Sequence, residues 1–251
     1  MVAFKDLSVE DKQTIIQHLD ELRKSLIISV IAIVVASVFA FAFNEQILAF
    51  IIQPLSVLNE SLIVTGVTEA FFVKLKLAFL AGFIIAFPVI FWAIWRFFKP
   101  ALYENERKYI YILFPVSIGL FVSGILFAYF GILRMVLKFF IYIAGANLET
   151  MFKVDQYVSF VIAFTLPFGL VFELPVIVYF LTRIGIIKHE MLSKNRKYAL
   201  LIIVILAAAL TPGPDPISQI MMAGPVYLLF EISILVSKMA DRRKTKDVVE
   251  D

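Results

Sequence analysis

From Leu26 to Phe43 the chain runs for 18 residues without one ionisable side chain, and it does something similar five more times. The further apolar runs are Leu77–Trp95, Tyr109–Leu133, Tyr157–Thr182, Tyr198–Leu210 and Ile217–Val236. A bilayer core about 30 Å thick needs about 20 apolar residues as a helix. In lipid every backbone group must bond internally, which leaves helices or closed barrels. The runs are continuous rather than alternating, so helices are expected and a barrel is not. Composition agrees: 61% of the 251 residues are hydrophobic and 17% charged, with mean hydropathy +0.93. A soluble domain carries about 45–50% apolar and about 25% charged residues. Soluble enzymes, nucleic-acid-binding domains and disordered proteins are excluded, leaving a polytopic membrane protein.

The expected architecture is an all-α bundle of six transmembrane helices. It forms one domain over residues 1–237, followed by a charged, disordered tail over 238–251. The first run follows an amphipathic segment and lacks a cleavage site, so it reads as a retained helix and not a signal peptide. The fifth run is short: 13 residues reach only about 20 Å at about 1.5 Å per residue. Such a helix thins the bilayer, snorkels its flanks or packs on a partner. Pro88, Pro115, Pro167, Pro175 and Pro225 fall inside runs and bend their helices by removing backbone donors. The bundle is therefore expected to be bent and cupped.

Charge sets the orientation. Eighteen lysines and arginines lie before run one, between runs two and three, between runs four and five, and in the tail; five lie on the other side. The positive-inside rule puts both termini in the cytoplasm, as an even number of spans requires. No internal repeat of the kind found in many secondary transporters is visible.

Few side chains offer chemistry. The absence of cysteine removes thiolate ligands and nucleophiles. Both histidines, His18 and His189, fall in expected cytoplasmic segments, so no metal site is expected within the membrane. No nucleophile–base pair or phosphate loop appears, which argues against an enzyme. Three features remain. Between Ser8 and Ser25, Ile15, Leu19, Leu22 and Leu26 recur at helical spacing, and Ser8 with Asp11 forms a loose capping box. A cytoplasmic amphipathic helix is expected there, with His18, Glu21 and Ser25 on another stripe. Its bland reading is a solvated helix with Glu21 paired to Lys24. The loop Lys99–Lys108 sets Glu104 and Glu106 among basic residues; its bland reading is local ion pairs of little energy. Glu173 lies ten residues before Arg183, near midplane, where a charge costs about 3 kcal/mol or more. It is protonated, paired, or facing a wet groove. A proton-coupled solute transporter using Glu173 is the competing reading, though it leaves the Glu21 helix unexplained.

The ordered strings His18-Leu19-Asp20-Glu21-Leu22-Arg23, Gln53-Pro54-Leu55, Thr68-Glu69-Ala70-Phe71-Phe72 with Lys76, and Pro100-Ala101-Leu102-Tyr103 with Glu106-Arg107 resemble the TatC family. So do Phe172-Glu173-Leu174-Pro175, Leu210-Thr211-Pro212 with Asp215 and Ser218-Gln219, and Phe230-Glu231. The likeness runs over residues 8–238. Val67 departs from the family, which often has proline there. The resemblance implies a core receptor of twin-arginine translocation that exports folded proteins on the protonmotive force, without a cofactor or metal. It implies that Glu21 and Glu106 read the two arginines of a signal peptide. Leu19, Arg23, Phe97, Pro100, Leu102 and Tyr103 belong to the same implied surface. Glu173 becomes an intramembrane polar site. Pro54, Glu69, Phe71, Lys76, Asp215 and Gln219 become external-loop or partner contacts. Implied partners are TatA and TatB, the latter near spans five and six, further copies of the chain, and the lipid bilayer; nucleic acid is not among them. Lack of a transit peptide favours a bacterial cytoplasmic membrane.

Overall fold

The computed structural model describes the backbone of residues 9–58, 60–99, 102, 104–144, 151–211 and 216–249. Side chains are described within 19–58, 60–99, 102, 107, 109–143, 151–211 and 216–241. The described chain is almost wholly helical. Helix α1 spans Val9–Phe41, α2 Asn44–Ser56, α3 Glu69–Phe98 and α4 Glu104–Leu126. A π-helical stretch, Phe127–Ile132, leads into α5, Leu133–Ala144. Then come α6 Val154–Val171, α7 Leu174–Arg183, α8 His189–Lys194, α9 Arg196–Leu210 and α10 Pro216–Val249. Two-residue strands β1 (Leu62–Ile63) and β2 (Phe152–Lys153) pair in parallel, Leu62 opposite Phe152.

Five stretches are long and apolar enough to cross a bilayer: Leu19–Phe41, Glu69–Phe98, Tyr109–Ile143, Val154–Arg183 and Pro216–Asp241. The sixth apolar helix, α9, has 15 residues, about 22 Å at the helical rise. Six spans with a short fifth therefore stand, but several boundaries move. The amphipathic segment and span one form one unbroken helix, because nothing between Val9 and Phe41 is glycine or proline. Span three continues past Leu133 to Ile143 through the π stretch, so Arg134 and Lys138 extend a helix instead of beginning a loop. Pro54, expected in a loop, lies within α2. The tail from Lys238, expected to be disordered, continues α10 to Val249; no glycine or proline stops it, and lysine and arginine are good helix formers.

Proline and glycine shape the bundle. Pro175 opens α7 and cannot donate to the carbonyl of Val171, so span four breaks at Phe172–Glu173. Gly185, at φ 86°, closes α7, with the Ile186 amide donating to the Leu181 carbonyl at 2.9 Å, a left-handed cap. Helices α1 and α3 meet so closely that a Cβ on Gly82 would lie 2.6 Å from the Ser37 Cα. Between α4 and α6, a Cβ on Gly124 would lie 2.7 Å from the Phe168 carbonyl oxygen. Between these contacts sits an aromatic core in which Phe87 and Phe121 stack at 3.5 Å.

The end of the bundle away from the basic loops is capped by the chain itself. Pro54 has no N–H for the Phe50 carbonyl four residues back. The Tyr129 hydroxyl donates to that carbonyl, and its ring stacks on Phe50 at 4.7 Å. The Tyr157 hydroxyl donates to the neighbouring Ile51 carbonyl at 2.7 Å. Two tyrosines thus hold a proline-opened helix against α6 and the π stretch.

Candidate site at the basic end

The last turns of α3, the first turns of α4 and the middle of α1 converge at the basic end. Trp92, Trp95, Arg96 and Lys99 stand at i, i+3, i+4 and i+7, so they share a face at the end of α3. Arg107, Ile110 and Tyr111 do the same on α4. Those seven side chains and Glu21 of α1 line a cavity of about 500 Å³. A second cavity of about 290 Å³ adjoins it, where Glu21 meets Lys24, Ser25, Ile27, Ile28, Arg96 and Phe97. Glu21 and Arg96 line both. Trp95 is buried at 5% exposure and Trp92 is 45% exposed, so one indole packs inside and the other stands at the surface.

Of the expected signal-reading residues, Glu21 and Phe97 are placed here directly. Leu19 and Arg23 are exposed on the same helix. Leu102 is buried, packed in the cluster of Trp95 and Ile110. Pro100 and Tyr103 lie outside the described residues, as does the side chain of Glu106. The backbone of Glu106 belongs to the first turn of α4, next to Arg107. The loop strings did not point to Trp92, Trp95, Arg96 or Tyr111. Their signal was the three- and four-residue spacing at the ends of two apolar runs.

Glu173 is 3% exposed, at the break between α6 and α7. Neither carboxyl oxygen has a hydrogen-bond partner among the described residues, although Ser117 of α4 stands beside it. The expected groove-facing carboxyl is thus closed in between helices.

The remaining expected contact residues are mostly engaged within the chain. Glu69 accepts from the amides of Thr65 at 2.7 Å and Gly66 at 2.9 Å, and from the Asp155 amide at 3.2 Å. Lys76 bonds Asp155 at 2.5 Å and Ser159 at 2.9 Å. Pro54 is buried. Phe71 is 57% exposed. Gln219 donates from α10 to the Val204 carbonyl of α9 at 3.0 Å. Asp215 lies outside the described residues. At the first residue of α9, Arg196 pairs with Glu231 of α10 through two contacts, at 2.8 and 3.0 Å. Tyr227 donates to the same carboxylate at 2.9 Å.

Residues 17–225 match the family model described as "Sec-independent protein translocase protein (TatC)". The chain belongs to the TatC family. The TatC of Carboxydothermus hydrogenoformans is 49% identical over 231 residues, which cover 92% of this chain and 95% of that protein. The TatC of Aquifex aeolicus is 40% identical, covering 91% and 96%. TatCy of Bacillus subtilis is 36% identical, covering 96% and 95%. A crystal structure of the twin arginine translocase receptor TatC superposes with a TM-score of 0.82 at 40% identity, over 89% of this chain and 99% of that one. This TatC-family chain is thus a component of a Sec-independent, twin-arginine protein translocase and a multi-pass membrane protein of the bacterial type. The family is a translocase family and is not known for catalysis.

Proposed function

We propose that the chain is the receptor of its translocase: it binds twin-arginine signal peptides at the basic end and passes folded cargo on with TatA and TatB. The observation that carries this reading is Glu21, placed where two cavities meet and flanked by aromatic and aliphatic surface. Guanidinium is planar and pairs bidentately with carboxylate, so Glu21 and Glu106 together suit two arginines. Hydrogen bonds to charged groups are worth about 1.5–3 kcal/mol each. Two such pairs supply roughly 3–6 kcal/mol, whereas micromolar binding needs about 8. The peptide's apolar segment must add the rest, and the exposed Ile27 and Ile28 offer a surface for it.

In this reading the basic end and both termini face the cytoplasm of a bacterial cell, and the protonmotive force drives export. Several copies associate in one complex. TatB docks by α9 and α10, where Gln219 lies between the two helices, and Phe71 is an exposed external contact. The test is the affinity of the purified chain for a twin-arginine peptide and its twin-lysine counterpart. Lysine keeps the charge and loses the fork, so the twin-lysine peptide is expected to bind at least about tenfold more weakly, the equivalent of one lost charged hydrogen bond. Equal binding removes the carboxylate-fork account. If neither peptide binds, the measurement is repeated with TatB present; continued failure removes the receptor reading.

A further inference from the structure

Charge at the candidate site raises a problem for a dicationic ligand. Among the described side chains the larger cavity holds three cations, Arg96, Lys99 and Arg107, against the single carboxylate of Glu21. Like charges crowded around a partly enclosed space repel one another and any arriving arginine. Two buried donors also lack acceptors among the described residues: the Nε of Arg107 and the Nε1 of Trp95. Buried donors are ordinarily satisfied. Both the charge and the donors call for an anion with several oxygens, and phosphate matches the guanidinium fork.

The surroundings say where such a phosphate comes from. Trp92 and Tyr111, with rings 6.3 Å apart, are half-exposed aromatics at the end of two apolar spans, the pattern of residues at headgroup depth. The adjoining cavity offers Ile27 and Ile28 to an acyl chain. The cytoplasmic leaflet is rich in anionic lipids. We propose that the cavity between α1, α3 and α4 binds the phosphate headgroup of an acidic phospholipid, which neutralises Arg96, Lys99 and Arg107 and thereby strengthens twin-arginine peptide binding at Glu21. The proposal rests on the receptor reading for its second half only. By linkage, peptide and lipid raise each other's affinity by the same factor.

The chain carries its own reporter. Its only two tryptophans are Trp92 and Trp95, and both line the cavity. The full-length protein in a neutral detergent is titrated with dioctanoyl phosphatidylglycerol, with dioctanoylglycerol and with inorganic phosphate while tryptophan emission is followed. A saturable change with the acidic lipid and none with the neutral one is expected. A response to inorganic phosphate alone keeps the site but overturns its lipid source. Equal responses to both lipids, or none to any ligand, overturn the site. R96Q, K99Q and R107Q, each checked for intact helicity, are expected to weaken lipid binding by about tenfold. Unchanged affinity in all three also overturns the assignment.

Peptide affinity is then measured in nanodiscs of phosphatidylcholine with and without phosphatidylglycerol. It is expected to rise with the acidic lipid, and the gain is expected to vanish in R107Q. That variant removes the site but not the general attraction of a basic peptide to an acidic surface. A gain that persists in R107Q, or affinity that falls with acidic lipid, overturns the coupling. A peptide that binds in no lipid while the tryptophan titration still saturates defeats the receptor reading and leaves the lipid site standing. A flat titration beside normal peptide binding does the reverse.

Discussion

The two ends of the bundle treat their polar side chains differently. At the end with β1 and β2, Glu69, Lys76, Asp155, Tyr129 and Tyr157 all bond within the chain. They join α2, α3, α6 and the π stretch into one cap. At the basic end, Glu21, Arg96, Lys99 and Arg107 line a cavity of about 500 Å³. On the proposed receptor reading the basic end keeps a cavity open for its ligand, so rigidity has to come from the other end. Substitutions at the two ends should therefore separate cleanly: stability follows the cap, and binding follows the cavity.

The largest effect is expected from reversing the one carboxylate that both cavities share. E21R removes a partner of about 1.5–3 kcal/mol and adds a fourth cation to the larger cavity. Peptide affinity should fall more than about a hundredfold, combining the lost bond with like-charge repulsion. The thermal midpoint should stay within a degree or two, because Glu21 is exposed on α1 and exposed substitutions change stability little. Calorimetric titration beside a melting curve checks both; a lowered midpoint with unchanged affinity would merge the two ends.

The sequence already held most of the fold. Long uncharged runs dictate spans, and the short run Tyr198–Leu210 emerged as the short helix α9. What it concealed were the places where one side chain repairs another's defect. The family resemblance put Pro54 in an external loop, whereas it lies inside α2. Only the folded chain brings Tyr129, more than seventy residues away, to the Phe50 carbonyl that the proline exposes, and Tyr157 to the Ile51 carbonyl beside it. Glu69 entered as an external-loop or partner contact through the family resemblance alone; its carboxylate is engaged by amides of its own loop and of α6. Glu21 was legible as a candidate, but its company was not. Trp92, Trp95 and Arg96 sit at the end of an apolar run, and nothing in the run itself says that α1 and α4 meet them there.

The next largest effect concerns α9, which is fastened to α10 at its first residue by Arg196–Glu231 and at its middle by Gln219 to the Val204 carbonyl. Four leucines inserted after Ile205 lengthen the helix by about 6 Å and turn its distal part by about 40° relative to a whole turn. Its face is nearly kept while its length is not. If a short span thins the bilayer for passage of folded cargo, export by cells carrying this variant should drop several-fold while peptide affinity holds. Full export would set thinning aside. On the cap, Y157F removes the hydroxyl's hydrogen bond to the Ile51 carbonyl and should cost about 0.5–1.5 kcal/mol of stability, read as a lower midpoint in denaturant or heat, with twin-arginine affinity unchanged. A binding defect in Y157F would mean that the cap transmits strain to the basic end.

The smallest effect is the sharpest check on the cap, because it asks which of its bonds matter. Lys76 and Asp155 approach to 2.5 Å, yet their side chains are 39% and 38% exposed. An ion pair open to water gains little beyond the entropy it loses, about 0–1 kcal/mol, and added salt weakens it further. K76M keeps the long apolar stem and removes the charge, so its stability loss should fall below that of Y157F and shrink further in about 0.5 M salt, where the Debye length is only a few ångströms. Lys76 also donates to Ser159 at 2.9 Å, which a methionine cannot do; a residual loss that ignores salt measures that bond. Should K76M cost more than Y157F at every salt concentration, the cap would be held by charge and not by the tyrosines that repair α2, and the contrast between the two ends would rest on electrostatics at both.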